Sequence, residues 1–305
     1  MVKRKVKLLL LLLLPCSSLL GQQNQTINFL IVKYGDESAN QKLASEFLES
    51  FADYFKQHFN YFNNKSVHGW IANNRDSAKF VLNKHNPDFV FAPPGFYLEF
   101  LYETPEKATP ILQIPRFGKS EERFYLVTSK NGVSTLQGLK NQIVATVFSI
   151  DREYLKRVVF PLQFQPESYF LVKTSENLAD ELFFLIEEAS GGIATGEMLA
   201  VSALLLDNEL KKFFQDDEFV WPELKIIWTS EPLPRDLVIT MGSKWTDKLK
   251  SQFREVLVNM KNNQPGLDIL SIMQSSGFTK INSDLLTKTI EKYFLKNSIG
   301  KAKKR

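Results

Sequence analysis

Short apolar runs rich in β-branched residues alternate with longer stretches of helical periodicity, from Ile27 almost to the C-terminus of this 305-residue chain. Ile27–Val32 reads as a buried strand, and Leu43, Phe47, Phe51, Tyr54 and Phe55 then fall on one helical face. Lys65–Trp70 predicts a second strand. Asn74 or Asp76 can cap a helix carrying Ala78, Val81 and Leu82. Pro87–Ala92 predicts a third strand, broken by Pro93-Pro94-Gly95, after which Phe96–Tyr102 is helical and Thr109–Ile114 is extended. A β-α-β-α-β-α-β order of this kind places helices on the faces of a mainly parallel sheet.

The pattern then begins again. Arg123–Thr128 and Gln142–Phe148 predict strands, Ser149 or Asp151 can cap a helix over Arg152–Phe160, and Ser168–Lys173 is extended. Leu178–Glu188 predicts a helix stopped by Gly191-Gly192, followed by a short strand at Ile193–Thr195 and a helix from Glu197 to about Leu206. Leu224–Thr229 predicts another strand, and Leu237–Met241 a strand that returns to the first unit. Helices over Trp245–Met260, Pro265–Gln274 and Leu285–Leu295 close the chain. The expectation is an α/β chain of two lobes, each a mainly parallel sheet flanked by helices.

The N-terminus carries a separate message. Basic residues from Lys3 to Lys7 precede the leucine run Leu8–Leu14, then Pro15 and the small residues Cys16, Ser17, Ser18 and Gly21. This is the layout of a secretory leader, too short to span a bilayer, and residues 1–21 are expected to be removed. The mature chain is therefore expected to be periplasmic or secreted. Cys16 is the single cysteine, which excludes an intramolecular disulfide. Pro15 directly before it disfavours lipid anchoring through Cys16.

The net charge of +4 collects at the two ends, so nucleic acid is not an expected partner. His58, His68 and His85 lack metal-ligand spacing, and there is no nucleophile elbow or phosphate-binding loop. Neither a metal nor a cofactor is expected, and an exported enzyme is the least supported reading. The phenylalanine-rich helices read as core.

Several segments resemble the phosphate/phosphite/phosphonate-binding family of ABC-transporter solute receptors. Asp88-Phe89-Val90-Phe91-Ala92-Pro93-Pro94-Gly95-Phe96-Tyr97 is similar to the family's Asp-x-x-x-x-Gly-Pro-x-x-Tyr strand end. Phe124–Val127 followed by Leu136-Gln137-Gly138-Leu139-Lys140 looks like its entry into the second lobe. Trp228-Thr229-Ser230-Glu231-Pro232-Leu233-Pro234 looks like its return hinge, and Leu249–Phe278, with Gly266 and Gly277, resembles its closing helices.

The resemblance implies the type 2 periplasmic binding fold with two hinge crossings. Residues 22–129 plus 232–305 would form lobe 1, with lobe 2 inserted as residues 130–231. It further implies a monomer that captures a small molecule between the lobes and delivers it to an ABC permease. A binding module that signals to a sensor kinase or another receptor is the alternative. Candidate ligand-binding residues by this correspondence are Tyr34, Gly35, Tyr97, Ser149, Ile150, Arg152, Ser175 and Thr195.

The cleft motif departs from the family. Only Ser149 remains of a Ser-Thr-Ser-Gly-like run, Asp151 brings a negative charge to that helix N-terminus, and Glu176 stands where a histidine is usual. A phosphonate or phosphate ligand is the family's expectation. The residues themselves leave an amine, a sugar-like molecule or another neutral solute open.

Overall fold

The computed structural model describes residues 26–33, 41–104, 108–116, 118–175, 178–189 and 201–302. The predicted leader, Tyr34, Gly35, the Gly191-Gly192 stop and the strand at Ile193–Thr195 lie outside them.

Two five-stranded sheets organise the fold. In chain order the strands are β1 (Thr26–Val32), β2 (Ser66–Ala72), β3 (Phe89–Ala92), β4 (Thr109–Gln113), β5 (Glu121–Glu122), β6 (Tyr125–Ser129), β7 (Ile143–Thr146), β8 (Leu171–Thr174), β9 (Ala203–Leu206), β10 (Leu224–Thr229), β11 (Leu233–Pro234) and β12 (Leu237–Thr240). The first sheet runs β2-β1-β3-β12-β4 and the second β8-β7-β9-β6-β10. β1 is parallel to β2 and β3, and β7 is parallel to β8 and β9. The fourth strand of each sheet, β12 or β6, is antiparallel to both neighbours. The two sheets thus share one topology, and the first is completed by a strand that follows the whole of the second in sequence.

β5 and β11 pair as a short antiparallel ribbon where the chain passes between the sheets, Leu233 opposite Glu122 and Pro234 opposite Glu121. Ser230 fastens the same crossing: the Phe124 N–H donates to Ser230 Oγ at 2.9 Å, and the Ser230 N–H donates to the Phe124 carbonyl at 2.8 Å. No helix among the described residues is long and apolar enough to cross a membrane.

The helices are α1 (Gln41–His58), α2 (Arg75–His85), α3 (Pro94–Phe96), α4 (Arg152–Tyr154), α5 (Leu178–Ala189), α6 (Asn208–Gln215), α7 (Asp247–Asn259), α8 (Gln264–Ile272) and α9 (Ser283–Ala302). α3 and α4 each widen into a π turn, over Tyr97–Leu101 and Leu155–Val159. Of the two predicted caps before α2, Asn74 serves, its side chain accepting the Ser77 N–H at 2.8 Å. The phenylalanines of α1 and α7 are core: Phe51 and Phe55 of α1 pack with Phe29, Phe62 and Phe89, and the ring of Phe253 of α7 lies 3.9 Å from that of Phe89, whereas Phe80, Phe183 and Phe213 of other helices are exposed. Aromatic area of this kind dominates core energetics.

One element differs in kind from its sequence expectation. The stretch ending at Leu206 was expected to be helical, yet Ala203–Leu206 is the central strand of the second sheet, buried on both faces. A short leucine run is compatible with either state, and pairing with β6 and β7 decides it. The helix comes immediately afterwards as α6, capped by Asp207, whose Oδ1 accepts the Leu210 N–H at 2.8 Å.

Candidate functional site

The ends of the strands meet at one cavity of about 510 Å³. Val32 and Lys33 follow β1, Pro93 and Pro94 follow β3, and Arg116 follows β4. From the other sheet, Phe148 and Asp151 follow β7, Leu178 follows β8, and Asp207 and Glu209 follow β9. The antiparallel strands contribute their entering ends, Phe124 before β6 and Arg235 and Asp236 before β12. Convergence of loops beyond the carboxyl ends of parallel strands is how α/β sheets build ligand sites, and the volume suits a small molecule.

The cavity wall is strongly charged. Arg116 donates from Nη1 to Glu209 at 2.5 Å and from Nη2 to Asp236 at 2.8 Å. It therefore ties α6 of the second sheet to the segment entering β12 of the first. Burial works against its charge, but the two carboxylates hold its pKa above the ordinary value. Arg235 donates from Nη1 to Glu122 Oε2. Glu122 Oε1 also accepts the backbone N–H groups of Asn208 and Arg123, each at 3.0 Å. The start of α6 is thereby fastened to the crossing ribbon. Burial and the charge of Asp207 push the Glu122 carboxyl up, against the pull of Arg235 and those N–H groups, and burial likewise pushes Asp207 up.

Two buried donors on this wall lack partners. Among the described residues, Arg235 is 3% exposed yet finds no acceptor for its Nε and Nη2, and the buried Tyr154 hydroxyl likewise finds no partner. An unpaired buried donor costs about 1–3 kcal/mol, so such groups cluster where something else completes them. Asp151 is the acidic counterpart. Asp151 is half-buried, and desolvation pushes its carboxyl up to about 8, with Glu99 and Asp236 adding repulsion and Arg75 opposing them. No hydrogen bond or ion pair holds it among the described residues.

The predicted site residues fare unevenly. Ser149 and Ile150 lie within the turn over Phe148–Asp151, between the lining residues Phe148 and Asp151. Arg152, Tyr97 and Ser175 are not among the lining residues. Arg152 is exposed and pairs with Glu167 at 3.0 Å, because successive residues on a helical turn point apart and Asp151 takes the inward position. Tyr97 is core, its ring edge-on to Tyr102, with burial pushing its hydroxyl up to about 12. Ser175 is buried, its hydroxyl 3.2 Å from Glu181 Oε1. Tyr34, Gly35 and Thr195 fall outside the described residues.

Apart from Asp151, the charged residues that do line the cavity were not singled out from sequence. Asp207 carried a legible signal, an Asp before an amphipathic stretch, and Arg235-Asp236 directly follow the hinge-like Pro232-Leu233-Pro234.

Comparison with known proteins agrees with this architecture. The family model described as "ABC transporter, phosphonate, periplasmic substrate-binding protein" matches residues 191–286. No curated protein matches the sequence significantly. Among solved structures, XAC2383 from Xanthomonas citri bound to chloride superposes with a TM-score of 0.65 at 14% identity, covering 88% of this chain and 97% of that one. A binding-protein component of an ABC phosphonate transporter from Pseudomonas aeruginosa gives 0.60 at 14% identity, covering 90% and 87%. PhnD1 from Prochlorococcus marinus in complex with methylphosphonate gives 0.59 at 15% identity, covering 90% and 99%. The chain therefore has the type 2 periplasmic binding protein fold, and its 191–286 segment matches the family of phosphonate receptors of ABC transporters.

Proposed function

We propose that the protein is an extracytoplasmic solute-binding protein that captures a small molecule between its two lobes and delivers it to an ABC permease. One observation carries this reading: a small-molecule-sized cavity whose wall is drawn from the strand ends of both sheets, with a two-stranded ribbon at the crossing. Such a site closes when the halves approach and opens when they part about the ribbon. Residues 22–129 plus 232–305 act as one lobe and residues 130–231 as the other. The basic, leucine-rich leader supports a place outside the cytoplasm, and the match over residues 191–286 to a family of transporter receptors supports the permease as partner.

The test is a melting screen of the purified protein against phosphonates, phosphate, amines, amino acids and sugars, followed by small-angle scattering. A ligand at one hundred times its dissociation constant adds about 2.7 kcal/mol of stability. A captured ligand raises the melting temperature and reduces the radius of gyration together. If every class leaves both unchanged, the capture reading fails. Loss of ligand uptake on deleting the protein, with the permease intact, tests delivery.

A further inference from the structure

The cavity wall carries more acid than base. Five acidic side chains, on Glu122, Asp151, Asp207, Glu209 and Asp236, face three basic ones, on Lys33, Arg116 and Arg235, and burial keeps Glu122 and Asp151 largely protonated near neutral pH. Arg116 is already spent on two carboxylates.

Arg235 defines one end of what fits. With Nη1 given to Glu122, its Nε and Nη2 remain, and these two N–H groups lie parallel on one edge of the guanidinium. That edge matches the two oxygens of a carboxylate. Tyr154, on the helix that follows Asp151, adds a hydroxyl without a partner among the described residues. Asp151 defines the other end: a carboxyl without hydrogen bond or ion pair among the described residues, on the opposing turn. Unpaired donors call for an acceptor, and an unpaired acid calls for a donor that carries positive charge.

We propose that the cavity takes a small zwitterion, its carboxylate on the Nε/Nη2 edge of Arg235, its primary ammonium on Asp151. The proposal rests on the capture reading and sharpens it, because it sets the ligand apart from dianionic phosphonates.

The experiment is isothermal titration calorimetry of the purified protein with glycine, L-alanine, β-alanine and γ-aminobutyrate. Butyrate and n-butylamine serve as single-ended analogues, and methylphosphonate and inorganic phosphate as oxyanions. At least one zwitterion binds, and analogues lacking either end bind at least about tenfold more weakly, as expected when a site's buried polar groups go unpaired. The isosteric Asp151→Asn variant, checked for folding by its unliganded melt, weakens the zwitterion at least about tenfold and leaves butyrate within about twofold. Binding of methylphosphonate or phosphate with no response to any zwitterion overturns the proposal and leaves capture standing. An Asp151→Asn variant that binds the zwitterion as well as the parent also overturns it. Silence from every probe overturns the proposal and counts against capture as well.

Discussion

The carboxylate of Asp151 rests against Gly95 across the cavity, so closely that a Cβ on Gly95 would stand 2.7 Å from Oδ2 and 2.8 Å from Cγ. Asp151 follows β7 and Gly95 follows β3, so this contact joins the two sheets directly. A methyl group at residue 95 has no room unless the halves separate or Asp151 turns away. Gly95→Ala is therefore expected to lower stability by about 1–3 kcal/mol and to enlarge the radius of gyration. Adding Asp151→Ala should restore most of both. A double-mutant cycle by urea unfolding, with scattering on each variant, checks this; additive effects would disconnect the two residues.

Asp151 also sets a pH dependence. Its carboxyl, ordinarily near 3.8, is held at about 8 in the folded chain. The native state therefore binds the more protons between those values, and stability falls as pH rises through that window. Glu122 and Asp207, both pushed up, act in the same direction. Melting temperatures from pH 5 to pH 8 should decline, and Asp151→Asn should decline less steeply. A parent that gains stability over this range would contradict the burial of these acids.

Arg116 is a second link between the sheets. Replacing it by methionine keeps the volume but strands Glu209 and Asp236 as unpaired acids. A loss of about 2–4 kcal/mol is expected, below the fully buried limit because both carboxylates retain some exposure. Urea unfolding measures it, and scattering should show a more open molecule. A change under about 0.5 kcal/mol would mean that the pair does not hold the halves.

Gly266 tests the closing helices. It lies in the first turn of α8, where a Cβ would stand 2.0 Å from the Met260 carbonyl oxygen, and backbone on both sides cannot yield as a side chain could. Gly266→Ala is expected to cost about 2 kcal/mol or more, despite alanine's better helix propensity. A stabilised variant would show that α8 docks differently.

Strand and helix order was largely readable because each element carries its own period: Ile27–Val32 for a buried strand, Leu43 to Phe55 for a helix face. The failure at Ala203–Leu206 has a physical origin, since its four residues are too few to show a period and their state is decided by β6 and β7. The site was far less readable. Arg116 and Glu209 are 93 residues apart, and Glu122 and Arg235 are 113 apart, so the first pair exists only once the chain has crossed to the second sheet, and the second only once it has crossed back. Correspondence with the family pointed to the turn at Phe148–Asp151, whose first and last residues line the cavity. It favoured Arg152 over Asp151, since a charge suited to an anion was expected there.

The placement of β12 fixes an order of events during synthesis. Until residues 237–240 leave the ribosome, β3 and β4 have an empty slot between them and the first sheet exists only as fragments. More than three quarters of the polypeptide must be made before its N-terminal strands can be sealed in place, which keeps the nascent chain pliable for most of its translation.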